Sequence, residues 1–153
     1  MVCEKVQRRK TKIVEIGGIR IGGSNPVVIQ SMTNTPTHRI SKTVSQIRTL
    51  AEAGCEIVRC AVPDTRALKA LPAIVRESPL PLVADIHFRP DLAVKSMETG
   101  IAKVRINPGT IGNRDAVKRV IRAARRRNIP LRIGCLLYTS DAADELDGVD
   151  LGG

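Results

Sequence analysis

The stretch Leu80-Pro-Leu-Val-Ala-Asp-Ile-His-Phe88 is an apolar run that turns polar in one alternating phase towards its carboxyl end. Side chains alternate between the two faces of a strand, so Val83, Asp85 and His87 share one face while the other face stays apolar. Four further runs carry a charged or amide side chain in the same phase: Val27-Val-Ile-Gln-Ser-Met32, Ile57-Val-Arg-Cys-Ala-Val62, Ala102-Lys-Val-Arg-Ile-Asn107 and Ile129-Pro-Leu-Arg-Ile-Gly134. The pattern predicts five strands with polar groups near their carboxyl ends.

The order of the elements favours parallel strands. Segments with a helical spacing of apolar residues lie between the five runs, so strand and helix alternate and the helices are expected to pack outside the strands. A complete barrel of this kind takes about 250 residues, and the 153 residues here supply about half of one. We therefore predict an α/β fold, the amino-terminal half of a TIM-type (β/α)8 barrel that is truncated after strand five.

Turn and cap residues refine this prediction. Residues 11–21 form a predicted hairpin around a Gly-Gly turn, and we expect the hairpin to plug the amino-terminal end of the barrel. Ser41 and Asp64 are expected to cap the first two helices, and Pro90 to occupy the first position of the third. Pro72 is expected to kink the second helix or to split it in two.

The charge of the chain predicts an anionic partner. The formal net charge is +10, and residues 1–134 hold 25 basic and 10 acidic side chains, a net of +15. One Phe and one Tyr leave almost nothing for base stacking, which argues against nucleic acid. The basic residues of the helix after Asn113 are therefore interpreted as a solvated face.

Targeting and cysteine patterns indicate a cytoplasmic protein. The chain has no apolar run long enough to span a membrane and no signal-peptide pattern. The four cysteines, Cys3, Cys55, Cys60 and Cys135, form neither a C-x-x-C pair nor a zinc spacing. They favour idle or buried thiols over a metal site.

Three arginines, Arg59, Arg105 and Arg132, fall in the polar phase of three different strands. A guanidinium grips phosphate oxygens at two points and stays charged at physiological pH. Burying it unpaired costs about several kcal/mol, so a ligand site at the barrel mouth is favoured over a merely solvated sheet face. The loop 107–113 leads into a helix amino terminus, which also favours an anion.

Asp85, His87 and Asn107 share the polar phase of the same strands. They are predicted to orient hydroxyl groups or to move protons at the site. For Asp85, a structural salt bridge to a neighbouring arginine is an equally open interpretation.

Several of these motifs carry a family resemblance. The runs Ile29-Gln-Ser-Met-Thr-Asn-Thr35, Val83-Ala-Asp-Ile-His-Phe88, Val104-Arg-Ile-Asn-Pro-Gly109 and Leu131-Arg-Ile-Gly134 resemble the amino-terminal barrel of the 4-hydroxy-3-methylbut-2-enyl diphosphate synthases, over roughly residues 8–134. The resemblance implies an iron–sulfur oxidoreductase of isoprenoid biosynthesis that opens 2-C-methyl-D-erythritol 2,4-cyclodiphosphate reductively. It further implies a [4Fe-4S] cluster, flavodoxin or ferredoxin as the electron donor, and a homodimer.

The resemblance also implies roles for single residues. Arg59, Arg105 and Arg132 match the arginines that grip the diphosphate, and three polar positions that line the pocket match Asp85, His87 and Asn107. No residue of this chain is thereby assigned as catalytic.

Two departures from the family pattern stand out. Thr110 occupies a position where the family usually has Asn. The family's cluster ligands, three Cys and a Glu, belong to a carboxyl-terminal domain, and no cysteine here matches them. We therefore expect the chain alone to hold no cluster and to be inactive.

Two alternative functions stay open: another phosphate-binding barrel enzyme, aldolase-like or pteroate-synthase-like, or a noncatalytic basic binding module.

The chain divides into three expected segments. Residues 1–11 are a basic, frayed start, and residues 12–134 are the partial barrel with its leading hairpin. Residues 135–153 contain five acidic side chains and no Lys or Arg, and they look like the conceptual translation of a sequencing-library adapter. We expect this tail to be a non-native read-through segment, with a real acidic tail as the alternative.

Overall fold

The computed structural model describes residues 9–134. Their elements, in chain order, are β1 (Val14–Ile16), β2 (Ile19–Ile21), β3 (Gln30–Met32), α1 (Ile40–Glu52), β4 (Ile57–Ala61), α2 (Thr65–Glu77), β5 (Leu82–Ile86), α3 (Pro90–Ser96), β6 (Lys103–Ile106), α4 (Arg114–Arg127) and β7 (Leu131–Ile133). Most of the expected basic start and the whole expected tail lie outside the described residues.

The strands β3 to β7 form one parallel sheet in chain order, and β1 and β2 form a separate antiparallel hairpin. This arrangement confirms the predicted α/β fold, a parallel five-stranded part of a TIM-type barrel with an amino-terminal hairpin. The first predicted strand is shorter than expected, because only Gln30–Met32 pair with β4. Before them, Val27 and Ile29 are 71% and 60% exposed.

The apolar phase of the strands faces the helices. Ala84 and Ile86 of β5 and Val104 and Ile106 of β6 join a buried cluster with residues of α2, α3 and α4. Full burial of a valine or isoleucine side chain contributes about 1.5–3 kcal/mol. The polar phase therefore lies on the opposite face of the sheet.

The hairpin covers the amino-terminal end of that opposite face, as predicted. Ile16 is fully buried and packs against Ile57 and Val83. Gly17 has a φ of +56°, and a Cβ atom on it would lie 2.7 Å from the Cβ of Pro81. Only glycine fits this close approach without displacing its neighbour.

The helix boundaries follow the cap predictions with one correction. The carboxylate of Asp64 accepts a 2.8 Å hydrogen bond from the Ala67 N–H, and α3 begins at Pro90, as expected. The prediction for Ser41 was wrong: α1 begins at Ile40, and its N-cap position is Arg39, which makes no side-chain cap bond.

The predicted break at Pro72 was also wrong in its stronger form, because α2 runs without interruption from Thr65 to Glu77. Leu71 and Ile74 on either side of the proline are fully buried. Their packing compensates for the one backbone hydrogen bond that the proline removes.

Candidate anion-binding site

The strand register brings the polar side chains into rows. Ala61, Asp85, Arg105 and Arg132 are neighbours across β4, β5, β6 and β7. Neighbouring residues in register point to the same side of a sheet, so these side chains lie opposite the helices. Two residues earlier on their strands, Arg59, Val83 and Lys103 form a second row on the same side. We call this side of the five-stranded sheet the site face.

Asp85 is the centre of the site face. Its carboxylate is only 2% exposed and accepts a 2.9 Å hydrogen bond from Nη1 of Arg105. Nε of Arg59 lies 3.3 Å from the other carboxylate oxygen, and Nε2 of His87 lies 3.4 Å from the first. One buried carboxylate thus holds two guanidinium groups, which leaves an excess of positive charge at this point.

Arg105 is the most enclosed of the three arginines, at 7% exposed. Its Nη1 lies 3.5 Å from Nε2 of His87, in addition to its bond with Asp85. A Cβ atom on Gly134 would lie 2.6 Å from Nε of Arg105. The glycine after β7 therefore leaves the space that the guanidinium occupies.

Arg59 and Arg132 are more accessible than Arg105. The side chain of Arg59 is 24% exposed, and its Nε and Nη2 contact Sδ of Met32 at 3.3 and 3.2 Å. Arg132 is exposed and takes part in none of the ion pairs formed within residues 9–134. The structure thus brings Arg59 and Arg105 together on Asp85 and places Arg132 beside them with its charge uncompensated.

Asn107 organises the loop after β6. It is 8% exposed, its side-chain Oδ1 accepts from the Gly109 N–H, and its carbonyl accepts from the N–H groups of Thr110 and Ile111. These three N–H groups are therefore engaged within the loop and are not available to an anion. The N-cap Asn113 likewise takes the Ala116 N–H.

Thr110 links this loop to the neighbouring strand end. Its hydroxyl donates a 2.6 Å hydrogen bond to the carbonyl of His87. The residue that departs from the family pattern thus helps to fix the backbone beside Asp85.

Lys103 is the charged residue of the site face that the sequence argument left out. It is 8% exposed, and none of the ion pairs within residues 9–134 includes it. Burial lowers the pKa of Lys103, and the nearby charge of Arg132 lowers it further. The sequence places Lys103 on the same strand face as Arg105. Lys103 was left out because it lies at the amino end of β6, away from the carboxyl ends of the strands where the site was predicted.

The described cysteines do not fit an iron–sulfur cluster. Sγ of Cys55 is buried and donates to the carbonyl of Ile57, and Cys60 is fully buried on the helix side of β4. Burial raises the pKa of the Cys60 thiol, which disfavours the thiolate that a cluster requires. Within residues 9–134, no three Cys, His, Asp or Glu side chains are grouped as metal ligands. Cys3 and Cys135 lie outside that range.

The helices of the described part of the chain are all too short or too polar to span a membrane.

A parallel sheet backed by helices, with basic side chains gathered on its other face, defines part of a TIM-type barrel whose inner face is cationic. The chain belongs to the GcpE TIM-barrel domain family, whose sequence profile matches residues 11–137.

Curated relatives carry the name 4-hydroxy-3-methylbut-2-en-1-yl diphosphate synthase (flavodoxin). The protein from Maridesulfovibrio salexigens is 57% identical over 129 residues, which are 84% of this chain and 36% of the relative. The protein from Geobacillus kaustophilus is 54% identical over 131 residues, 86% of this chain and 35% of the relative. The chain thus spans about a third of the length of these relatives.

Solved structures support the fold alone. A Yersinia pestis dihydropteroate synthase with a pterine-sulfa conjugate aligns with a TM-score of 0.63 and 13% identity, over 86% of this chain and 52% of that one. At this identity the likeness extends to the barrel architecture and does not favour a pteroate-synthase function.

Proposed function

We propose that this chain is the diphosphate-binding part of a 4-hydroxy-3-methylbut-2-en-1-yl diphosphate synthase barrel. Its ligand is the cyclic diphosphate 2-C-methyl-D-erythritol 2,4-cyclodiphosphate, held by Arg59, Arg105 and Arg132. The observation that carries the proposal is the buried carboxylate of Asp85 with two guanidinium groups on it and a third arginine next to them in register.

The charge balance of the site face supports a dianionic ligand. Arg59, Arg105, Arg132 and Lys103 oppose the single carboxylate of Asp85. Two unit charges about 4 Å apart interact with about 4 kcal/mol at the effective dielectric constant of such a site. A diphosphate brought into this field compensates the remaining positive charge.

The other polar residues have supporting roles in this proposal. Asp85 holds Arg59 and Arg105 in place, so that their remaining N–H groups stay directed at the ligand. Asn107 and Thr110 fix the loop beside them through the hydrogen bonds described above. His87, half exposed at the end of β5, is placed to contact the ligand's hydroxyl groups.

The reductive chemistry belongs to the whole synthase. The printed names of the relatives point to flavodoxin as the electron donor. The described residues of this chain supply no cluster ligands, so their part in the reaction is to bind and orient the cyclic diphosphate. We propose that the chain alone binds this ligand without converting it.

Calorimetric titration of the whole chain with the cyclodiphosphate tests the proposal. Arg105→Gln is expected to weaken binding about 10- to 100-fold, a loss of roughly 1.4–2.8 kcal/mol. Arg119→Gln, on the solvated face of α4, removes the same charge far from the site and is expected to leave the affinity unchanged. Equal losses from the two variants would instead support a diffuse basic binding surface, and tight binding of duplex DNA with no response to the cyclodiphosphate would favour a nucleic-acid module.

A further inference from the structure

Met32 is a residue of the site face that the proposed function leaves without a role. It ends β3 and is paired in register with Arg59 of β4, so both side chains lie on the site face. Met32 is 36% exposed, whereas Met97, the other methionine of residues 9–134, is 4% exposed and belongs to the main apolar cluster. Small solutes therefore have access to the thioether of Met32 beside the anion site.

The sulfur of Met32 occupies one particular edge of the Arg59 guanidinium. Its Sδ accepts from Nε at 3.3 Å and from Nη2 at 3.2 Å. The Nε–H is directed at the sulfur, although Nε also lies 3.3 Å from Oδ2 of Asp85. Two adjacent N–H groups of this kind form the fork by which a guanidinium grips a phosphate at two points. The thioether thus sits on the part of Arg59 that a phosphate group needs.

The oxidation state of this sulfur decides how strongly it holds Arg59. A thioether is a weak acceptor, so a phosphate group displaces it from the two N–H groups at little cost. Oxidation to the sulfoxide makes the side chain polar and adds an oxygen that is a much stronger acceptor. This oxygen is bonded to the sulfur that already faces Nε and Nη2, so it lies within reach of the same two groups. Oxidation therefore turns a weak occupant of the fork into a competitor of phosphate.

We propose that Met32 is an oxidation site that lowers the affinity of the anion site through Arg59. This inference rests on the proposed function. The oxidant is hydrogen peroxide: a lone pair of Sδ attacks one peroxide oxygen, the O–O bond breaks, and an S=O bond forms. The second oxygen leaves as water with both protons, so the sulfur loses the two electrons that the peroxide gains. The reaction is reversible, because reductases return methionine sulfoxide to methionine.

The test treats the whole chain in dilute solution with hydrogen peroxide, removes the peroxide with catalase and measures pyrophosphate binding by calorimetry. Peptide mass spectrometry follows the oxidation, and Met32 is expected to be oxidised before Met97, because Met97 is buried. Once Met32 is oxidised, the affinity for pyrophosphate is expected to fall about tenfold, which corresponds to the loss of about one hydrogen bond to a charged group.

Met32→Leu is the matched control. It keeps an apolar side chain of similar size, and it retains all four cysteines and the two other methionines of the chain. Peroxide treatment is expected to leave the pyrophosphate affinity of this variant at its own untreated value.

Reduction separates the sulfoxide from oxidised cysteines. Dithiothreitol alone reduces disulfides and sulfenic acids and is expected not to restore the affinity of the treated parent chain. Methionine sulfoxide reductases for both sulfoxide epimers, added with dithiothreitol, are expected to restore it.

Separate outcomes distinguish this inference from the proposed function. If the untreated chain binds pyrophosphate and the affinity is the same with Met32 fully oxidised, the role of Met32 is wrong and the anion site stands. An equal loss of affinity in Met32→Leu, or full recovery with dithiothreitol alone, would also overturn the inference, since another residue would then carry the effect. If pyrophosphate does not bind even to the untreated chain, both proposals fail.

Discussion

Asp85 is the residue on which the geometry of the site depends. Asp85→Asn removes the charge that holds Arg59 and Arg105 while keeping the size of the side chain. Breaking a buried ion pair on one side typically destabilises a protein by about 3–5 kcal/mol, and we expect a loss in this range from urea unfolding.

A matched control for this variant is Asp115→Asn. The Asp115 side chain is 88% exposed and its nearest cation, Lys118, lies 3.9 Å away. Such a surface pair contributes about 0–1 kcal/mol. If the two variants unfolded at the same urea concentration, the central role of Asp85 would be refuted.

The buried charge of Lys103 predicts a pH-dependent stability. Between its lowered pKa in the folded chain and the ordinary value of 10.5, the unfolded chain binds more protons, so the free energy of unfolding rises with pH. Lys103→Met removes this penalty, and we expect the variant to be more stable than the parent at pH 7, with a gain that shrinks towards pH 10.5. Urea unfolding at both pH values measures this. Lys69→Met, at an exposed position, is expected to show no such pH dependence, and a constant gain for Lys103→Met would contradict the prediction.

Single residues of the site differed in how far the sequence revealed them. The alternating phase placed Arg59, Asp85 and Arg105 on one face, because side-chain direction in a strand follows from sequence position alone. The sequence left open whether Asp85 pairs with a neighbouring arginine or contacts the ligand. The pairing depends on the register between strands, which the local sequence does not give. Lys103 was missed because the absence of a partner is a property of the folded neighbourhood.

The packing of the β1–β2 hairpin against the sheet depends on a glycine at position 17. At Gly17, alanine would combine a positive φ with a Cβ contact of 2.7 Å to Pro81, whereas at Gly18 a φ of +87° meets open space. We expect Gly18→Ala to cost about 1–2 kcal/mol from backbone strain alone, and Gly17→Ala to cost clearly more. Thermal unfolding of the two variants measures the difference, and equal costs would mean that the hairpin does not pack against the sheet as described.

Whether a segment forms a helix or a strand was easier to predict from the sequence than the residues at which it begins and ends. The alternation of strands and helices follows from apolar periodicity, which each segment carries within itself. The start of β3 at Gln30 and the uncapped start of α1 at Ile40 depend on neighbouring strands and loops, which the local sequence does not encode. Asp64 was predicted correctly because its hydrogen bond to Ala67 is local.

The five-stranded sheet of the described residues has two edge strands, β3 and β7. Unpaired strand edges with apolar side chains favour association between chains, and Ile133 on β7 is 49% exposed. We expect the chain to self-associate at raised concentration, as sedimentation velocity would show. Ile133→Lys is expected to reduce this association, because a lysine on an edge strand opposes pairing.

The control for this variant is Phe88→Lys, which replaces an exposed apolar residue that follows the central strand β5. It is expected to change the association less than Ile133→Lys does. A monomeric chain at all concentrations, or equal effects of the two variants, would contradict association through the strand edge.

At the scale of the described molecule, the basic site face lies on one side of the five-stranded sheet. A second set of arginines lies on α4, which packs against the other side. Modification of arginine by phenylglyoxal, followed residue by residue with mass spectrometry in dilute solution, tells these two surfaces apart. With the cyclodiphosphate present, we predict slower modification of Arg59 and Arg132 and unchanged rates at Arg119 and Arg122. Unchanged rates at Arg132, or protection on α4 instead, would contradict the assignment of the site face as the diphosphate-binding surface.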